Sequence, residues 1–122
     1  MAKHNDFGHE GEEVAVEYLR SKGYEICHRN WMSGQKELDI VAKKDGMLVI
    51  IEVKTRANSY FNAPEDSVNE KKIRNIVHAA EDYIFTHDLM METRFDIVSV
   101  IPNGHGGFSV EHIEDAFLPP VN

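Results

Sequence analysis

Residues 37–56 read ELDIVAKKDGMLVIIEVKTR, and the fold follows from this stretch. Asp45-Gly46 lies between two apolar-rich runs, a strong signal for a two-residue hairpin, because the turn that matches strand twist needs positive φ at both central residues. Before the turn, Glu37 to Lys43 alternates between polar and apolar positions. After it, Leu48, Val49, Ile50 and Ile51 form an uninterrupted apolar run, as expected of a central strand covered on both faces. The sheet should therefore lie between helices.

On the N-terminal side, Ser33-Gly34 marks a turn and Tyr24 to Asn30 reads as a short strand. Farther out, Val14, Ala15, Tyr18 and Leu19 recur at helical spacing, with Glu10, Glu13 and Glu17 on the opposite side. This predicts an amphipathic helix from Gly11 to Lys22, ended near Gly23. On the C-terminal side, Ser67 followed by Glu70 has the form of a capping box. Behind it Ile73, Ile76, Val77, Ala80, Tyr83 and Ile84 trace a stripe that predicts a helix from about Val68 to Thr86. Phe95 to Ile101 reads as a strand, Asn103 to Gly107 as a glycine-rich turn and Phe108 to Ile113 as the returning strand, before a tail ending in Pro119-Pro120. The order α-β-β-β-α-β-β, without repeats or long linkers, describes one mixed α/β domain over residues 1–122.

The formal net charge is -8, which argues against coating nucleic acid by electrostatics alone, since phosphate contacts need surplus Lys and Arg. Locally the balance reverses: between Arg20 and Arg56 eight Lys/Arg face five Asp/Glu. Cys27 is the only cysteine, so neither an intrachain disulfide nor a zinc ribbon can form. The polar, carboxylate-rich start and the lack of any apolar run near the ~20 residues that span a bilayer predict a cytoplasmic protein with no membrane association.

If the hairpin turns symmetrically about Asp45-Gly46, facing residues have numbers that add to 91, setting Asp39 opposite Glu52 and Glu37 opposite Lys54. Strand alternation puts these four on one side, with Leu38 and Val53 on the other. Opposed carboxylates near a core repel unless a positive group lies between them, and a hard divalent cation meets that need. Magnesium favours one or two carboxylates completed by waters and phosphate oxygens, so no His or Cys ligand is required. Spacing alone is equally met by a solvated strand end with a Glu37–Lys54 ion pair. Glu12 precedes Ala15 and Leu19 by three and seven residues and so lies beside the apolar stripe, either as a water-mediated metal contact or as an acid favouring the helix dipole.

Arg29, Lys36, Arg56 and, from the start of the second helix, Lys72 are candidates for phosphate contacts, each of which also fits an exposed solubilising charge. The seven histidines show no HExxH or other ligand spacing and read as surface or structural. Trp31 and Tyr60 could stack on an unpaired base, although packing is the better expectation. Cys27, in an apolar pattern with no adjacent base, reads as a small hydrophobe.

Asp39, twelve residues, then Glu52-Val53-Lys54, after a helix bearing Glu12, resembles the PD-(D/E)xK nuclease superfamily, with Leu38 where the name has proline. Gly11-Glu12 with Ala15 and Tyr18-Leu19, then Arg29-Asn30, Glu37-Leu38-Asp39 and Glu52-Val53-Lys54-Thr55-Arg56, resembles the YraN-like family of small bacterial proteins. Pro64, Val68, Lys72, Arg94-Phe95-Asp96, His112-Ile113 and Ala116-Phe117 extend that similarity over nearly the whole chain. The resemblance implies a restriction-endonuclease-like three-layer sandwich, close to that of archaeal Holliday junction resolvases, with a metal-dependent endonuclease site. On matching positions it implies Asp39 and Glu52 as ligands of Mg²⁺ or Mn²⁺, Lys54 orienting the attacking water, Glu12 completing the site and Glu37 supporting it.

The expected activity is therefore hydrolysis of phosphodiester bonds in nucleic acid, with DNA, branched or damaged, as the leading substrate. A homodimer is expected if two strands are cut, and the acidic surface leaves a role for a recruiting protein. The rival expectations are a catalytically silent nucleic-acid-binding or scaffolding module of the same fold, and a hydrolase of small phosphoesters.

Overall fold

The Asp45-Gly46 turn forms as expected, with φ of 53° and 79° and Lys44 paired to Met47 across it. The computed structural model of the chain describes residues 3–56 and 68–119. In chain order the elements are α1 (Lys3–Ser21), β1 (Glu25–Ser33), β2 (Lys36–Lys44), β3 (Met47–Thr55), α2 (Glu70–Thr86), β4 (Thr93–Pro102) and β5 (Phe108–Ile113). The five strands lie side by side in sequence order. All neighbours are antiparallel except β3 and β4, which are parallel and connected through α2.

The two helices cover opposite faces. Ala15, Val16 and Leu19 of α1 pack with Ile40, Ala42, Val49, Ile51, Val98 and Val100. Ile76, Val77, Ala79, Ala80 and Tyr83 of α2 pack with Val41, Leu48, Ile50, Phe95 and Ile97. This is the expected three-layer arrangement, and the even and odd residues of β3 separate between the layers as a strand buried on both faces requires. Among the described residues no helix is long and apolar enough to cross a membrane.

Several boundaries differ from the sequence expectations. α1 starts at Lys3 rather than Gly11; the sequence before Gly11, KHNDFGHE, carries no apolar residues at helical spacing to signal it. α2 starts at Glu70 with Asn69 as its N-cap, whose side chain accepts the Lys72 backbone N–H at 2.8 Å. The expected cap Ser67, like Tyr60, Pro64 and Pro120, lies outside the described residues. β1 runs three residues past Asn30, to Ser33, carrying Trp31 onto α2, where it packs edge-on against Tyr83 with ring centres 5.1 Å apart. Cys27 is half-buried, and burial raises its thiol pKa.

The hairpin register is the predicted one from Lys44↔Met47 to Ile40↔Ile51, and there the recorded pairing stops. Asp39 and Glu37 are therefore not ladder partners of Glu52 and Lys54. Beyond that point β2 pairs with β1, as in Trp31↔Leu38 and Met32↔Glu37. β3 pairs with β4, as in Glu52↔Ile97 and Lys54↔Ser99. The two central strands thus fork. Strict alternation also breaks here: Leu38 packs in the α2-side cluster together with Val41, not away from the carboxylates as expected. Asn30, between the β1 partners of Ile40 and Leu38, has φ of 52°, a left-handed conformation that asparagine tolerates better than most residues.

On the α1 side of the sheet, Asp96, paired with Ile51 in the β3–β4 ladder, is fully buried and fully bonded. Arg94 donates to it from Nε and from a terminal nitrogen at 2.9 and 2.8 Å, His112 Nε2 lies 2.7 Å away, and the Asp115 backbone N–H donates at 2.9 Å. Arg94 also donates to the Tyr24 hydroxyl, and the Tyr18 hydroxyl meets His112 Nδ1. Burial works against the Asp96 carboxylate, but the His112, Arg94 and Asp115 contacts outweigh it and hold its pKa below the usual value. The cluster ties β4, β5 and α1 together.

Candidate metal centre

Asp39 sits at the fork. Its Oδ2 accepts the Val53 backbone N–H at 2.9 Å, taking a donor that a continued ladder would have given to a β2 carbonyl. The side chain thereby wedges the strands apart and fixes its own position. Burial first, and the Glu52 carboxylate second, push the Asp39 pKa up to about 7; Glu37 and Glu12 add to the rise, and the Val53 N–H opposes it.

Glu52 follows the apolar run of β3 on the α2 side, with only 5% of its surface exposed. Two ammonium groups reach the same oxygen, Oε2: Lys54 from the same strand at 3.4 Å and Lys72 from α2 at 3.2 Å. Lys54 thus pairs with Glu52 and not across the hairpin with Glu37. Burial disfavours the Lys72 charge, but Glu52 more than offsets this, so its pKa is raised.

From the opposite layer α1 brings Glu12, half-buried while Glu10, Glu13 and Glu17 are exposed. Asn30 Nδ2 donates to Glu12 Oε2 at 3.2 Å, so the left-handed residue of β1 orients the helix glutamate. α1 approaches β3 closely: a Cβ on Gly11 would run into the Thr55 side chain, with Cγ2 only 2.9 Å away. Glycine inside a helix costs about 1 kcal/mol relative to alanine, and here it is what lets Glu12 come near the fork.

A cleft of about 210 Å³ opens beside Asp39, lined by Gln35, Lys36, Glu37, Asp39, Lys72, Asn75 and Ile76. Lys36 and Lys72 thus share one polar cleft. Arg29 is instead on the α1 side, in an ion pair with Glu13 at 2.8 Å, and Arg56 continues β3, its backbone N–H donating to Val100.

The donors at the fork are hard carboxylate oxygens of the kind that hold Mg²⁺ or Mn²⁺. Among the described residues no group of three or more His, Cys, Asp or Glu side chains is gathered closely enough to hold a metal unaided. Around Asp39, burial first and the neighbouring carboxylates second raise the pKa, and a divalent ion there would relieve the repulsion among them.

Sequence reasoning missed three features here. Lys72 was expected on the periphery and lies on Glu52; Asn30 was expected only as strand; Gln35 and Asn75 were not singled out. Arg29-Asn30 and Lys72 carried a signal, as part of the family resemblance, and Lys72 also as a candidate phosphate contact.

The model of a family described as "Uncharacterised protein family UPF0102" matches residues 11–100. A UPF0102 protein of Phocaeicola vulgatus is 50% identical over 121 residues, covering 99% of each chain. One of Bacteroides thetaiotaomicron is 49% identical over the same length, again covering 99% of each chain. One of Flavobacterium psychrophilum is 46% identical over 117 residues, covering 96% of this chain and 98% of its own.

Proposed function

The chain belongs to the UPF0102 family, and from that premise and the geometry of the fork we propose that it is a divalent-metal-dependent endonuclease hydrolysing phosphodiester bonds of DNA. One observation carries this reading: the half-buried Asp39 carboxylate lies in the field of the buried Glu52 carboxylate, which is paired with Lys54, and Asp39 lines a polar cleft that holds Lys36 and Lys72.

In this reading Asp39 and Glu52 hold Mg²⁺ or Mn²⁺, and Glu12, steadied by Asn30, contacts it through water. When bound, the ion polarises a phosphate oxygen and lowers the pKa of a coordinated water. Lys54, kept beside Glu52 by its own strand, orients the attacking water and stabilises charge developing on the phosphate. Glu37, on the rim, adjusts the field at Asp39. Lys36 and Lys72 take phosphates within the cleft, and Arg29, on the α1 side, and Arg56, after the end of β3, take phosphates farther along the backbone. Attack by water needs no covalent enzyme intermediate. Branched or damaged DNA in repair or recombination is the favoured substrate, with a homodimer supplying two centres for two strands and a protein partner offsetting the acidic surface.

A second reading has its own observation. Lys54 and Lys72 already neutralise Glu52, as a catalytically silent nucleic-acid-binding module of this fold would require.

Labelled single-stranded, duplex, flap and four-way-junction DNA, with an RNA control, incubated with Mg²⁺ or Mn²⁺ and either wild type or Glu52→Ala, separates the two. Cleavage by wild type alone is expected. Equal cutting by both would remove Glu52 from the chemistry, and binding without cutting would favour the silent module.

A further inference from the structure

Both ammonium groups on Glu52 reach its Oε2, and a divalent ion using that oxygen has to displace one of them, because two cations and a metal cannot share one carboxylate oxygen without strong repulsion. The two lysines are not equivalent. Lys54 stands two residues from Glu52 on the same strand and the same side of the pleat, with 23% of its side chain exposed. Lys72 reaches across from the first turn of α2, with 45% of its side chain exposed, and already lines the open cleft. Its backbone is fixed by the Asn69 cap, so only the side chain has to move.

We propose that Lys72 is a built-in counter-ion for Glu52, which the metal displaces into the cleft, where its ammonium joins Lys36 in holding the phosphate backbone. This deepens the nuclease reading and rests on it. Before metal arrives, Lys72 keeps the buried glutamate from standing uncompensated. After metal arrives, the same charge serves the substrate, so metal loading and nucleic-acid binding are linked. The linkage is reciprocal: nucleic acid that holds Lys72 in the cleft raises metal affinity.

The test uses the full-length protein with Mn²⁺ for calorimetry, and Ca²⁺ as a poorly catalytic ion for NMR and duplex binding. In wild type labelled at lysine Nζ, the Lys72 ammonium resonance, assigned by its loss in Lys72→Met, should shift to a freely exchanging position as Ca²⁺ is added, while that of Lys54 remains restrained. Lys72→Met should bind Mn²⁺ about tenfold more tightly, within the usual range of coupling between linked sites, and Lys71→Met should match wild type. In Ca²⁺, Lys72→Met should bind duplex DNA more weakly. If wild type binds Mn²⁺ and Asp39→Asn does not, yet the Lys72 resonance stays restrained and Lys72→Met leaves Mn²⁺ affinity unchanged, the displacement is overturned while the metal centre stands. If wild type binds no metal, both fall together.

Discussion

Asp39 and Val53 are joined by one hydrogen bond, the Val53 N–H donating to Asp39 Oδ2 at 2.9 Å, at the point where β2 and β3 stop pairing. The residue proposed to hold metal is also the residue that opens the space for it.

The two roles separate by substitution. Asp39→Asn keeps an acceptor for Val53 while removing the charge, and should melt near the wild-type temperature at pH 5, where the folded protein keeps the Asp39 proton, but bind Mn²⁺ at pH 7 more than about tenfold more weakly, given how strongly ligand charge governs such sites. Asp39→Ala leaves the N–H without its acceptor and should lose about 1–3 kcal/mol of stability as well. Calorimetric titration and thermal melts on the two variants read both effects. Wild-type metal affinity in Asp39→Asn would take Asp39 out of the ligand set.

The pH dependence follows from the same carboxyl. Its pKa rises from 3.8 to about 7 on folding, so between those values the folded protein keeps a proton that the unfolded chain has released. The folded state then binds more protons, and stability falls as pH rises through that window. Melting temperatures at pH 5 to 8 should show this decline in wild type and a smaller one in Asp39→Asn. Saturating Mg²⁺ should flatten it, with metal affinity increasing towards pH 7 as a proton is displaced. Identical profiles with and without Mg²⁺ would contradict it.

What the sequence made legible was local. The Asp45-Gly46 turn, the register set by it and the apolar run of β3 follow from turn chemistry and strand periodicity within twenty residues, and they brought Asp39, Glu52 and Lys54 to one end of one hairpin. The fork was not legible, because a side chain capturing the Val53 N–H leaves no periodic trace. Nor was the place of Lys72, which depends on how α2 crosses the sheet, or the conformation of Asn30, which answers to the fork opposite it. Asn69 went unnoticed as a cap because it lacks the reciprocal Glu that marks a capping box.

Gly11→Ala offers a test of the close approach of α1. Helix propensity alone favours alanine by about 1 kcal/mol, but the new methyl would meet Thr55, and overpacking of this kind typically costs about 1–3 kcal/mol. The variant should therefore melt below wild type, and adding Thr55→Ala should recover part of the loss. A Gly11→Ala protein more stable than wild type would show that the helix can shift without cost.

The buried cluster around Asp96 should matter for stability and not for metal. Asp96→Ala strips four hydrogen bonds and leaves Arg94 without its main partner, a change that costs about 3–5 kcal/mol in buried pairs. Denaturant unfolding should show this loss, while Mn²⁺ affinity measured under native conditions stays at the wild-type value. A large drop in metal affinity with little change in stability would mean that the two faces of the sheet communicate.

Because Asp39, Glu52 and Lys54 belong to a single hairpin, the order in which the molecule assembles is constrained. Hairpins close in about 1–10 μs, whereas the parallel pairing of β3 with β4 must wait for a distant segment and a longer loop closure. During synthesis β2 and β3 leave the ribosome before α2, so the carboxylate pair comes together with Lys54 but no Lys72 beside it, and dissolved cations reach it before α2 does. The cleft that later shields the pair is built around it.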